Sequence, residues 1–440
     1  MSGSSYLRRT VLFVGPVVAL FLMLAGMLAF HFYGNTFAAT SHTLYVNHIA
    51  GVNDTSCSDA GYTSVQAAVN AAQNGDTVYI CDTTPYTEQV IITKAITLTG
   101  VSGATIQAPP VFTTNPSRLP PQFTTDNLFI PQAIVIVWGT GSNANIVGLH
   151  ITGPITSTGG CAADEYGVLV IANGKATLNN DHVTDIHDAN PALYGCQFGV
   201  GIQVGREYWP LADFSNFVVE DFVGRATITK TTVTGYQKNG ITVDGPGSKA
   251  NITKSTVEGA GRYNDFGNNI AQNGIQISRG AVGMVESNYV SDNAYTGSRP
   301  ASSAGILVFG GCGDPLSIGV EVEGNVLSNN DVGIYLNNYS ADPNCTAPAP
   351  VKTNDKALNN SISNNAVTNM GPYTAANGST YTGYQAGIDD VGNNDLISHN
   401  TIAGIGYTPA RTTPGGPFVI PIDTISFPTT HPRVRANRVI

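Results

Sequence analysis

The sequence predicts an all-β solenoid of stacked coils, and three observations carry the prediction. Two short apolar motifs alternate through most of the chain. The composition is rich in residues that suit short strands and tight turns, with 49 glycines and only 11% charged residues. Near the N-terminus, one stretch has the pattern of an amphipathic helix that could close the open end of such a stack.

The first motif is Gly-h-x-h, where h is apolar. It begins at Gly167, Gly201, Gly240, Gly274, Gly305 and Gly333, and at Gly387 with Asp390 in place of the last apolar residue. The second is h-x-x-Asn-x-h, with end pairs such as Ile146/Ile151, Leu178/Val183, Ile228/Val233, Ile252/Val257, Val285/Val290, Val322/Leu327, Ile362/Val367 and Ile397/Ile402. Its polar position holds Asn288, Asn325, Asn365 and Asn400, with Asp181, Thr231 and Ser255 as substitutes and Leu149 as the exception. Period-2 alternation marks strands with one buried face. Two apolar residues five apart with Asn between them mark a strand–bend–strand corner, and Asn tolerates the left-handed backbone such a bend uses. No coil can bury its apolar face alone, so the coils must stack, and the Asn side chains are expected to form a ladder.

These motifs resemble the pectin-lyase-like right-handed parallel β-helix family, over about residues 43 to 405. The resemblance implies a solenoid of roughly ten coils, each with three strands and three turns. The run Ser64-Val-Gln-Ala-Ala-Val-Asn-Ala-Ala, followed by Asn74-Gly-Asp-Thr-Val-Tyr-Ile, is similar to that family's capping helix and first coil. In the family frame the Asn corner is the short second turn and Gly-h-x-h is the first strand. Extra chain length falls on the turns flanking that strand: Val183 to Gly201 is 18 residues and Gly201 to Ile228 is 27, against 7 from Val233 to Gly240. Long loops on a regular scaffold are commonly functional. Two walls of loops over one sheet make a groove, which the family's polysaccharide lyases use for polymer.

Alternation assigns the groove floor. Ile202, Val204, Ile241, Val243, Ile275 and Ile277 face inward, while Gln203, Thr242, Asp244, Gln276, Leu307, Tyr335 and Asp389 face outward. The leading glycines are expected to keep the floor shallow. Gln203, Thr242, Asp244 and Gln276 suit a hydroxyl-rich ligand, and Tyr335 and Trp209 are candidate platforms for sugar rings. Arg206 and Arg279 each lie five residues after their strand glycine, two coils apart, with Lys238 before the intermediate coil. The three form a candidate catalytic and anion-binding patch. A lyase needs a base to remove the proton alpha to a uronate carboxyl and a cation, calcium included, to neutralise that carboxyl. Asp185-Ile-His187-Asp188 resembles the Asp-Pro-His-Asp motif of β-helix alginate epimerases but lacks its proline. Adjacent carboxylates such as Asp389 and Asp390 point to opposite faces of a strand and make poor acid–base partners. No complete motif set of pectin methylesterases or polygalacturonases is present.

The expected partner is a polysaccharide, an acidic one if the basic patch is real. The alternative is a non-catalytic adhesin or envelope scaffold. The formal net charge of −10 argues against nucleic acid. No cofactor is implied beyond that calcium, and no CxxC spacing suggests a metal site. Six cysteines allow fifteen connectivities, and sequence adjacency favours Cys57–Cys81, Cys161–Cys196 and Cys312–Cys345 in an oxidising compartment. Residues 1–40 read as a signal or membrane anchor: Arg8 and Arg9 precede an uncharged apolar run from Val11 to Tyr33. At about 1.5 Å per residue that run reaches the roughly 30 Å of a bilayer core. The positive-inside rule then exports the remainder, to be secreted or held at the cell surface. The solenoid is assigned to 41–410, and a Pro-rich tail or cap to 411–440.

Overall fold

A computed structural model describes residues 41–49, 51–112, 131–158, 160–162, 164–206, 222–261, 266, 269–295, 301–311, 314–338, 351–363, 373–374, 380–381, 384–403, 418–424 and 431–440. Among these, nearly all strands belong to three sheets of twelve, ten and eleven strands. Neighbouring strands within each pair in parallel, as from Val168 to Ile202, Ile228 to Ile252 and Val257 to Val290. The chain is a parallel β-helix. One coil shows the plan: Asn239–Asp244 lies in the ten-stranded sheet (sheet 1), Lys249–Thr253 in the twelve-stranded sheet (sheet 2), and Thr256–Glu258 in the eleven-stranded sheet (sheet 3). The next strand, Asn273–Ser278, returns to sheet 1 directly on top of the first.

The register turns each inward motif position into a column. Val168, Ile202, Ile241, Ile275, Ile306, Ile334 and Ile388 stack in sheet 1. Ile146, Leu178, Ile228, Ile252, Val285 and Val322 stack in sheet 2. All of these side chains are fully buried, so the apolar lumen is one continuous core. At the N-terminal end lies helix Val65–Ala71. Ser64 caps it, and the Glu88 carboxylate accepts from the Val65 and Gln66 amides at 2.7 and 2.9 Å. Its Val65, Ala68 and Val69 are buried against the first strands, covering the lumen where stacking begins.

The corner ladder is present with one change of member. The backbone N–H of each corner residue donates to the side chain of the next: Ser255 to Asn288, Asn288 to Asn325, Asn325 to Asn360, and Asn360 to Asn400, all at 2.9–3.0 Å. Asn360 takes the place expected for Asn365, which lies outside the described residues. Ala357 pairs with Ile397 and Ile362 with Ile402, so the corner there is Ala357/Ile362 and not Ile362/Val367. The expected reason for Asn at these corners also needs correcting. The left-handed residue is the one before it, namely Asn180, Lys230, Lys254, Ser287, Gly324, Asn359 and His399. Asn is used at the ladder position because its amide donates to one coil and its carbonyl accepts from another.

The strand glycines also play a different part from the one expected. They point into the lumen and leave the groove floor to their neighbours. A Cβ on Gly240 would sit 2.3 Å from Val257 Cγ1 and 2.6 Å from the Gly274 carbonyl oxygen. Gly201 and Gly274 meet Val233 and Val290 in the same way. Glycine is what lets sheet 1 approach sheet 3 at this edge of the prism. Gly240→Ala should therefore destabilise the protein by about 1–3 kcal/mol, an overpacking cost. Urea unfolding would check this, and an unchanged midpoint would refute the close-approach account.

Residues 418–424, 433–435 and 438–439, within the segment expected to be a tail or cap, add one strand to each sheet. Asn437 accepts from Asn400 at 3.0 Å and extends the ladder. Cys57–Cys81 and Cys161–Cys196 are disulfide-bonded, with Cα separations of 5.3 and 5.1 Å. Cys312 and Cys345 lie outside the described residues, as do residues 1–40. No helix among the described residues is long and apolar enough to cross a membrane.

Candidate functional site

The outer face of sheet 1 carries a cavity of about 370 Å³. Its floor comes from three successive strands, through Gln203, Thr242 with Asp244, and Gln276. The chain leaving the first and third of these strands contributes Arg206 and Arg279, and the turn entering the second contributes Lys238. With Leu307, eight residues predicted from the sequence therefore meet in one place. Phe198, from the long third-turn loop, and Tyr166, Leu307 and Phe309 add apolar and aromatic surface to the walls.

The cations differ in their partners. Arg206 Nη1 contacts Asp164 Oδ1 at 2.6 Å and donates to the Tyr166 hydroxyl at 2.8 Å. Arg279 grips Asp244 with two bonds, Nε to Oδ1 at 2.9 Å and Nη2 to Oδ2 at 2.6 Å. Each guanidinium is thus matched by a carboxylate, and the cavity is closer to neutral than a three-cation patch. Lys238 Nζ instead donates to the Ala271 carbonyl at 2.6 Å. Burial pushes its ammonium down to about 8. Burial likewise pushes the Tyr166 phenol well above its ordinary value, with Arg206 opposing the shift.

The floor is wired together before any ligand arrives. Asn273 donates to Asn239 at 3.1 Å, and Asn239 donates to Thr242 and Gln276, each at 3.0 Å. Gln276 donates to the Ser278 hydroxyl at 2.9 Å, and Ser278 donates to Asp244 at 2.6 Å. Gln203 is tied to the Gly205 carbonyl at 2.6 Å. Such a network fixes donor and acceptor directions in advance of ligand binding.

The other predicted residues stand elsewhere. Asp185, His187 and Asp188 do not line the cavity. They shape the loop behind its wall: Asp185 adopts a left-handed φ of 58°, and His187 Nδ1 lies 2.8 Å from the Asp188 carbonyl. Asp188 accepts from the Ser157 and Asn190 amides. Tyr335 lies on the same outer face but one strand beyond Leu307. Its phenol is raised well above the ordinary value by burial, then by Asp389 and Asp423. Asp389 continues the outward row while Asp390 falls in the inward column with Leu336, on opposite faces as expected. Trp209 lies outside the described residues. Among the described residues no group of three or more His, Cys, Asp or Glu is arranged to hold a metal ion.

Sequence reasoning missed Asp164, Tyr166, Asn239, Asn273, Ser278 and Phe309. A usable signal existed for most of them. The residue before each motif glycine and the fourth residue after it both face the groove, which accounts for Tyr166, Asn239 and Asn273 on one side and Asp244, Ser278 and Phe309 on the other.

No protein-family model matches the chain, and no curated protein matches it. Solved structures do. A lacto-N-biosidase from Eubacterium ramulus is 13% identical, with 96% of this chain and 71% of that one covered, at a TM-score of 0.42. A pectate lyase is 12% identical, with 91% and 78% covered and a TM-score of 0.44. A periplasmic alginate epimerase is 11% identical, with 83% and 77% covered and a TM-score of 0.35.

Proposed function

We propose that this is an exported carbohydrate-binding β-helix protein whose groove on sheet 1 takes a glycan chain, with Lys238 as the group that meets an acidic sugar. The observation that carries the reading is the contrast among the three cations. Arg206 and Arg279 are tied to Asp164 and Asp244, while the Lys238 ammonium donates to a backbone carbonyl. One surplus positive charge above a floor of amides and hydroxyls suits a sugar bearing a single carboxylate. Phe309, part-exposed at the cavity wall, offers apolar surface to a pyranose ring. Disulfides at Cys57–Cys81 and Cys161–Cys196 fit an oxidising, extracytoplasmic setting.

The catalytic form of this reading gives Lys238 the proton alpha to the carboxylate. With its ammonium at about 8, a useful fraction is the free amine near neutrality. Elimination would then break the C–O bond to the leaving sugar, whose oxygen takes a proton from the newly formed lysine ammonium or from water, and epimerisation would instead return a proton from water to the opposite face. The saturated Arg–Asp pairs favour a second reading, a binding surface without chemistry, because neither guanidinium is left over to neutralise an enolate.

Titration of the full chain with neutral and uronate oligosaccharides, alongside absorbance of unsaturated products, tests both. Binding of uronates in preference to neutral sugars is expected, with at least a tenfold loss in Lys238→Met and in Gln276→Ala. Product formation that survives in Lys238→Met would remove the lysine from the chemistry. Absence of binding across the panel would overturn the proposed function.

A further inference from the structure

A second surface, on sheet 2 and separate from the groove, has a composition at odds with the rest of the molecule. Lys175, Arg225 and Lys249 occupy register-matched positions on three successive strands. All three are exposed, and strand spacing puts successive members about 4.8 Å apart at the backbone. At the other end of the same strands, Lys230 and Lys254 occupy left-handed corner positions and are also exposed. Between these two rails the outward side chains are Thr177, Thr227 and Asn251, then Asn179, Thr229 and Thr253. Five of the chain's twenty cations thus stand on three strands and the corners that follow two of them, in a protein with net charge −10.

These cations are not held by the fold. Among the five, Arg225 alone makes a side-chain bond, from Nη1 to Asn173 Oδ1 at 3.1 Å. The ion pairs among the described residues lie elsewhere, at His48–Asp82, Arg206–Asp164, Arg279–Asp244 and Lys356–Glu321. The face turns acidic one strand further on, where Glu286 follows Thr253 in register and Glu323 follows Glu286. Charge is therefore segregated along the solenoid axis, and the positive block has a defined edge.

We propose that this face of sheet 2 is a docking surface for a linear polyanionic glycan, lying along the solenoid axis with its acidic groups over the two cationic rails. A repeat of one cation per coil matches a polymer that carries charge at regular intervals, and the threonine hydroxyls and asparagine amides between the rails can bond its hydroxyls. Nucleic acid is disfavoured because no aromatic side chain faces outward between the rails to stack on bases. A lipid surface is disfavoured because no apolar side chain projects there to enter it. The inference does not depend on what the groove binds.

The test uses the full chain at low and moderate salt, with polygalacturonate and heparin as carboxylated and sulfated probes. A neutral glucan, a single-stranded DNA oligonucleotide and phosphatidylglycerol vesicles serve as comparisons. Binding to one or both polyanionic glycans is expected, weakening as salt rises. Combined Lys175→Gln, Arg225→Gln and Lys249→Gln substitution in a Lys238→Met background, which takes away the groove's contact with acidic sugars, should reduce affinity at least tenfold relative to Lys238→Met alone, with unchanged circular dichroism. The proposal fails if neither polyanion binds, if the combined variant binds as tightly as Lys238→Met alone, or if the DNA or vesicles bind more tightly than both glycans.

Discussion

Asn325→Ala should lower unfolding free energy by about 3–5 kcal/mol, a large effect for one small side chain. Asn325 is fully buried and serves three neighbours at once. Its amide nitrogen donates to the Val285 carbonyl at 2.9 Å and to Asn360 Oδ1 at 3.0 Å. Its Oδ1 accepts from the Asn288 backbone at 2.9 Å and from the Asn288 amide at 3.0 Å. Alanine would leave a buried carbonyl and a buried backbone N–H without partners, and each orphan costs about 1–3 kcal/mol. Asn325→Ser supplies the control, because serine already holds this position at Ser255. There the hydroxyl accepts from the Thr231 N–H at 3.2 Å and donates to the Thr253 carbonyl at 3.0 Å. Serine should therefore recover about half of the loss. Equal midpoints for the two variants in urea would mean that the ladder's bonds do not set the cost.

The same ladder shows what a sequence can and cannot reveal about this fold. Ile275, Ile252 and Val257 were legible as core because alternation assigns a face without any knowledge of neighbours. The register between residues 357 and 367 was not. Ile362-Ser-Asn-Asn365-Ala-Val367 satisfies the corner motif, and so does Ala357-Leu-Asn-Asn360-Ser-Ile362 once alanine counts as apolar. Only the stacking of Ala357 between Val322 and Ile397 decides between them. Val434-Arg-Ala-Asn437-Arg-Val439 escaped notice for a related reason: its arginines point outward at the last coil and disguise the apolar alternation. In the groove, Lys238, Arg206 and Arg279 could be placed together from their offsets to the strand glycines. Their charge states of association could not, since Asp164 and Arg206 are 42 positions apart and meet only because their strands are adjacent in sheet 1.

Stability should rise as pH falls from 8 to 5, and Glu165→Gln should remove much of that slope. Glu165 is completely buried, and the polar group that faces its carboxyl is another carboxyl, Asp188. Burial, reinforced by the neighbouring Asp188 and Asp164 carboxyls, raises it to about 10. An unfolded chain would release that proton near 4.3. Between these values the folded state holds a proton that the unfolded state has lost, so unfolding is increasingly favoured as pH rises, by up to about 1.4 kcal/mol per pH unit. Asp390, raised to about 8 by burial and then by Asp395, and Asp181, raised to about 7 by burial, act in the same direction over narrower windows. Glutamine keeps the shape of a protonated glutamate and carries no proton to lose. The variant should therefore melt higher than the parent at pH 8 and close to it at pH 5. The gain should reach the groove as well, because Asp188 anchors the loop that supplies Phe198 to the cavity wall, through the Ser157 and Asn190 amides and its own N–H to Gln237. A Glu165→Gln protein that melts lower than the parent at pH 8, with the same dependence on pH, would show that this carboxyl is charged in the folded state and that its burial has been misread.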